Sequence, residues 1–116
     1  MLQFPEHIER VSVLAEVSEL RHRVISHNIA NVNTPGYQRL DVSFDEHLFR
    51  ARRQGQESEK AGPSIVQEPG EITKMDGNSV DIDTEIGHLN QNSMVFQMYS
   101  QILSTHLNTM RRALGQ

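Results

Sequence analysis

The 116-residue chain contains no cysteine and no tryptophan, and aromatic residues make up only 5% of it, so neither disulfides nor large rings can consolidate a core. The missing thiols also remove the easiest nucleophile and the softest zinc ligand. Hydrophobic residues amount to 36% and lie mainly in two segments near the ends, which favours long helices over a compact ball. Positive charge is scarce as well. Eleven Lys and Arg against fifteen Asp and Glu leave a formal charge of −4, which argues against a nucleic-acid or anionic-membrane binder. Arg50, Arg52 and Arg53 form the one tight basic cluster and read as a solvated helix end. No apolar run approaches the roughly 18 to 20 residues of a membrane span. The start, Met1-Leu2-Gln3-Phe4-Pro5-Glu6, has neither the basic residues nor the apolar stretch of a secretory signal. The expectation is a chain without membrane insertion and without a cleaved signal.

Two long periodic segments are present instead. From Glu6 to about Asn31, apolar residues recur at three- and four-residue steps, and Val13, Val17, Leu20 and Val24 form a seam of coiled-coil type that seeks a partner helix. A second helix starts where Asp81 or Asp83 can cap it and runs to about Leu114, with Gly115 ending it. Along it Ile82, Ile86, Leu89, Ser93, Phe96, Ser100, Leu103, Leu107, Met110 and Leu114 keep the same alternation of four and three. The predicted fold is mostly α, with two long terminal helices in a coiled-coil-like antiparallel pair. Between them, polar residues and the breakers Gly55, Gly62, Pro63, Pro69, Gly70 and Gly77 predict an irregular middle, or a small β-hairpin of residues 64–68 and 71–74 about Pro69-Gly70. The chain divides into residues 1–50, 51–78 and 79–116, as one structural unit.

The second helix carries few charges. From Thr84 onward Glu85 is the one acidic residue, Arg111 and Arg112 are the two basic ones, and the other polar positions are mostly Asn, Gln, Ser, Thr and His. Buried interface cores avoid charge because desolvating it costs far more than desolvating a paired amide, so this composition predicts packing on several sides. The alternative is a two-helix hairpin with a neutral outer surface. In the packed reading Leu103, Leu107 and Met110 lie between helices while Gln101, Ser104 and Asn108 face neighbours.

Chemistry finds little support. The six histidines show no i,i+4 pair and no HExxH pattern, so no metal site is expected. The acidic run from Asp76 to Glu85 fails the register of a calcium loop, since Asp81 stands where glycine is needed and Gly87 where glutamate is needed. Capping explains it better. With no phosphate-binding loop, no nucleophile elbow and no evident cofactor motif, the expectation is a protein that is not an enzyme and holds no cofactor.

The most informative string joins the first helix to a turn: Asn28-Ile29-Ala30-Asn31-Val32-Asn33-Thr34-Pro35-Gly36-Tyr37. Locally it is a helix stop, with Pro35 fixing its own φ and Gly36 supplying the positive φ of a type II turn. As a whole it resembles the Asn-Ile-Ala-Asn-x-x-Thr-Pro-Gly-Tyr signature of bacterial flagellar rod and hook proteins, carried by Asn28, Ile29, Ala30, Asn31, Thr34, Pro35, Gly36 and Tyr37. Tyr37-Gln38-Arg39-Leu40-Asp41-Val42-Ser43-Phe44 and Asp76-Gly77-Asn78-Ser79-Val80-Asp81-Ile82-Asp83-Thr84-Glu85 are similar to two further motifs of the family's proximal rod subunits. The resemblance implies a structural subunit whose terminal helices pack in a helical tube, the periplasm-spanning drive shaft of the motor. It implies synthesis in the cytoplasm, export by the flagellar type III apparatus without cleavage, and partners among other rod proteins and the ring and junction proteins of the basal body. The assembly seam would be Val13, Val17, Leu20, Val24, Leu89, Phe96, Leu103, Leu107, Met110 and Leu114. Phe44 and Leu48 have the form of an export-gate element, and equally of an i,i+4 packing pair. The competing function class is a soluble helical adaptor or secretion chaperone that binds one partner helix.

Overall fold

The computed structural model describes residues 5–47, 49, 55, 62–68 and 74–115. Its elements are helix α1 (Glu6–Ala30), strand β1 (Leu40–Ser43), strand β2 (Ser64–Gln67) and helix α2 (Ile82–Ala113). The two helices run antiparallel, so His7 near the start of α1 meets His106 near the end of α2, with ring centroids 6.3 Å apart. The molecule is a lath of 62 × 34 × 16 Å.

Each helix begins and ends where local chemistry allows. The Pro5 carbonyl accepts from the N–H groups of Ile8 and Glu9 at 2.9 and 3.1 Å, and Glu6 and Glu9 place negative charge at the positive end of α1. Of the two candidate caps for α2, Asp81 is the one used: its carboxylate accepts from the N–H groups of Asp83 and Thr84. Arg111 and Arg112 sit in the last turn, and Gly115 follows at φ +77°.

The β-ribbon is small and antiparallel, as expected in kind, but its partner strand is distant in sequence. β2 pairs with β1 in the register Leu40 to Gln67 and Ser43 to Ser64. Residues 71–73, most of the arm expected opposite it, lie outside the described residues, as does the Pro69-Gly70 turn. Because side chains alternate across a strand, Leu40 and Val42 share one face of β1. That face covers α1: Val17, Val24 and Val42 form a buried cluster, with Val13, Leu20, Leu40 and Phe44 packed against it. Val17, Leu20 and Val24 of the seam thus pack with the ribbon, while Val13 also borders α2, lining a cleft with Leu103 and Leu107. A coiled-coil rhythm specifies an apolar stripe, and a strand with Leu40 and Val42 on one face fits that stripe as well as a helix does.

α2 meets a different face of α1, where Asn92 Nδ2 donates to the Ser18 carbonyl at 2.7 Å. Its buried residues are Glu85 and Asn92, and Leu89, Tyr99, Leu103, His106 and Met110 are half-buried in continuation of that row. The row expected from the sequence contained Leu89, Ser93, Ser100, Leu103 and Met110 too, with Tyr99 at its edge, but had Ile86 and Leu107 where the structure covers Glu85 and His106, and Asn92 is covered beside Ser93. With about 100° per residue, the covered face is turned from the expected one by a fraction of a single residue step. Leu107, expected between helices, borders the open cleft there and is still 54% exposed, and Leu114 is 66% exposed. Phe96, at 38%, lies on the margin.

Candidate functional site

The end of α1, the Pro-Gly turn, β1 and the loop before α2 converge on one polar joint, built around three residues that are almost inaccessible to solvent. Asn28 and Asn78 are 0% exposed and Glu85 is 1% exposed. Buried polar groups persist only where hydrogen bonds replace water, and here each one has several.

Asn28 lies in the last turn of α1 and reads both polarities of its neighbours. Its Oδ1 accepts from the Leu40 N–H at 2.9 Å and from the Tyr37 hydroxyl at 2.8 Å, while its Nδ2 donates to the Leu40 carbonyl at 2.8 Å and to Glu85 Oε2 at 3.4 Å. An asparagine is needed, since aspartate lacks the donors and leucine lacks both. The Tyr37 hydroxyl also lies 2.8 Å from His27 Nδ1. Burial, and then the nearby charge of Glu85, raise the pKa of Tyr37 above 10.0, with Arg39 acting in the opposite sense.

Asn78 closes the helix from the other side. Its Nδ2 donates to the carbonyls of Thr34, Asn31 and Val32 at 2.7, 2.9 and 3.1 Å, so one side chain gathers the carbonyls of the segment that leaves α1. Lys74 Nζ adds a cationic donor to the Val32 carbonyl at 2.8 Å. Asn78 is held in turn, its N–H by Asp76 Oδ1 at 3.0 Å and its Oδ1 by the Val80 N–H at 2.8 Å. The turn itself is closed by the Tyr37 N–H to the Thr34 carbonyl at 3.2 Å, with Gly36 at φ +72°. Gly36 N–H donates to the Asp76 carbonyl at 2.8 Å, and Gly77, at φ +80°, brings its Cα side against Gly36.

Arg39 ties the ribbon to α2. Its Nε donates to Glu85 Oε1 at 2.7 Å, its guanidinium reaches Glu68 beside β2, and its N–H donates to Ser79 Oγ at 2.9 Å. Burial works against the guanidinium charge, but the hydrogen bond and charge of Glu85, reinforced by Glu68, outweigh it and raise its pKa. The arrangement holds segments together and offers no nucleophile paired with a base. Among the described residues no group of three or more His, Cys, Asp or Glu is placed to hold a metal, and no helix is long and apolar enough to cross a membrane.

The structure thus brings Asn28, Asn31, Thr34, Gly36 and Tyr37 into one network, while Ile29 and Ala30 occupy the helix end and Pro35 is exposed. Phe44 packs on α1 beneath the ribbon, and Leu48 lies outside the described residues. Arg39, Asn78, Ser79 and Glu85 were not singled out as site residues from the sequence. Two amide- and glycine-rich strings on either side of the middle region were the available signal that each completes the other.

The string from Asn28 to Tyr37 that builds this joint is the one that resembles the flagellar rod and hook signature. The family model for the flagella basal body rod protein matches residues 21–38, from α1 through the turn. The flagellar basal body rod protein FlgB of Borrelia hermsii is 33% identical, with 81% of this chain and 84% of that protein covered. Those of Yersinia enterocolitica and Salmonella typhimurium are each 30% identical, covering 83% and 81% of this chain. The chain belongs to the flagellar basal body rod protein FlgB family. It is a structural subunit of the flagellar basal body rod and no enzyme, is located in the basal body and has other basal-body components as partners.

Proposed function

We propose that this chain is a proximal rod subunit that packs through its terminal helices into the periplasm-spanning drive shaft, after type III export from the cytoplasm without signal cleavage. The observation that supports the assembly reading is the state of α2. Of its thirty-two residues the two buried ones are polar, whereas Ile86, Met94, Met98, Ile102 and Leu107 stand exposed, as does Leu114 at its C-cap. Monomeric soluble proteins seldom leave so much apolar surface on one element uncovered. An open apolar cleft of about 360 Å³, lined by Ile8, Val13, Leu103 and Leu107, continues that surface between the helices. Gln101, Ser104 and Asn108 are exposed beside it, so neutral amides and hydroxyls flank the apolar positions.

The proposed partners are other rod proteins and the adjoining ring and junction proteins. The export role of Phe44 and Leu48 belongs to the same proposal, and it concerns a chain not yet folded, because Phe44 is covered in the fold. Leu107→Asp provides the test, together with Gln101→Glu combined with Asn108→Asp. All three positions are exposed in the single chain, so folding and export are expected to be normal while the basal-body fraction loses the protein and cells stop swimming. Normal swimming by both strains, with the variant chains in the rod, would defeat the reading and favour a soluble helical adaptor or secretion chaperone.

A further inference from the structure

The rotation of α2 about its own axis is not the one its apolar pattern favours. Burying Ile86 and Leu107 against α1 would remove more apolar surface from water than burying Glu85 and Asn92 does. Both rows share Leu89, Ser93, Ser100, Leu103 and Met110, so a roll of a fraction of one residue step, about 100° in full, exchanges one for the other without moving the helix off its partner. Something must oppose that roll, and the two buried side chains of α2 are the groups that hold α1 and the ribbon. Asn92 Nδ2 reaches the Ser18 carbonyl at 2.7 Å, and Glu85 receives Arg39 at 2.7 Å and Asn28 at 3.4 Å.

We propose that Glu85 and Asn92 are the positioning residues that fix the rotation of α2 and so keep its apolar row, with Ile86, Leu107 and Leu114, turned outward. The two lie seven residues apart, two turns of one helix face, and a polar group within an apolar seam penalises every setting in which its partner is out of reach. Glu85 alone would pin the helix end next to the joint. Asn92 extends the hold to the middle of α2, beyond the reach of the turn and the ribbon. The inference concerns the single chain, and holds whether or not the outward row meets rod neighbours.

The lack of native cysteine makes the test direct, because one introduced thiol gives one signal. Leu107→Cys reports on the outward row and His106→Cys on the inward row. In the full-length monomer the thiol at position 107 is expected to react with a maleimide severalfold faster than that at 106. Adding Glu85→Ala with Asn92→Ala should invert the order, slowing 107 and quickening 106, with the helical circular dichroism retained. Arg39 keeps Glu68 and Asp41 nearby in that variant and is not left as a lone buried charge. Should the double change unfold the chain, which would speed both thiols together, Asn92→Ala alone is read, and it should narrow the ratio. A helical variant that keeps the parent ratio would overturn the proposal and assign the rotation to packing alone.

Discussion

Arg39 and Glu85 meet at 2.7 Å across the joint, and the carboxylate they share is 1% exposed. A buried carboxylate that loses its cation remains desolvated and uncompensated. Arg39→Ala is therefore expected to cost about 3 to 5 kcal/mol in urea unfolding. Arg39→Lys should recover only part of this, since a single ammonium cannot reach Glu85 and Glu68 along separate directions as the guanidinium does.

Asn78 can be separated from mere bulk by comparing two replacements. Asn78→Ala removes the donors to three carbonyls and should cost about 1 to 3 kcal/mol. Asn78→Asp keeps the shape but presents an acceptor to those same carbonyls, and should cost more. Hydrogen exchange at the last turn of α1 should quicken in both. Equal stability of the aspartate variant and the parent would show that the capping bonds do not hold that helix end.

Tyr37 gives the joint an alkaline limit. Its folded pKa lies above the unfolded value of 10.0, so its contribution is complete below that pH and is lost as pH rises through the folded value. Burial is the main cause, with Glu85 adding to it, and His27 and Arg39 are the other titratable groups beside the ring. Tyr37→Phe should cost about 1 kcal/mol at neutral pH through the lost hydrogen bond to Asn28, and should flatten the decline in stability above pH 10. Urea titrations of both proteins from neutral to alkaline pH measure this.

Gly36 has open space around the position of a Cβ, so steric conflict with neighbours is absent and only its φ of +72° resists substitution. Gly36→Val should cost about 1 to 3 kcal/mol. In cells, the change is expected to reduce rod assembly more than secretion, as judged by abundance in basal bodies against abundance in the medium.

The helices could be read from the sequence because their signals are local: Asp81 caps with its own side chain, and Gly115 terminates with its own φ. The turn at Thr34 to Tyr37 was legible for the same reason. The ribbon was half legible: the arm at residues 64–68 is β2, but the four residues of β1 carry too little alternation to announce the strand that pairs with it. What covers Val17, Leu20 and Val24, and which residues α2 buries, was legible only in part. Periodicity says that a stripe will be covered, but the choice between strand and helix, or between Ile86 and Glu85, depends on hydrogen bonds to Leu40, Asn28 and Ser18 that no spacing encodes. The joint itself was half visible: its residues stood in two recognisable strings, and their mutual fit required the fold.

The helix pair behaves like a zipper fastened at one end. At the joint, amides, an ion pair and a closed turn bind four segments together, while at the far pole the rings of His7 and His106 meet beside an open cleft between the helices. Thermal opening should begin at that far pole and travel inward, stopping first at Asn92 and finally at Glu85. The stretch that peels most readily is thus the one bearing Leu103, Leu107 and Leu114, which leaves the free ends of both helices able to adapt to whatever surface receives them.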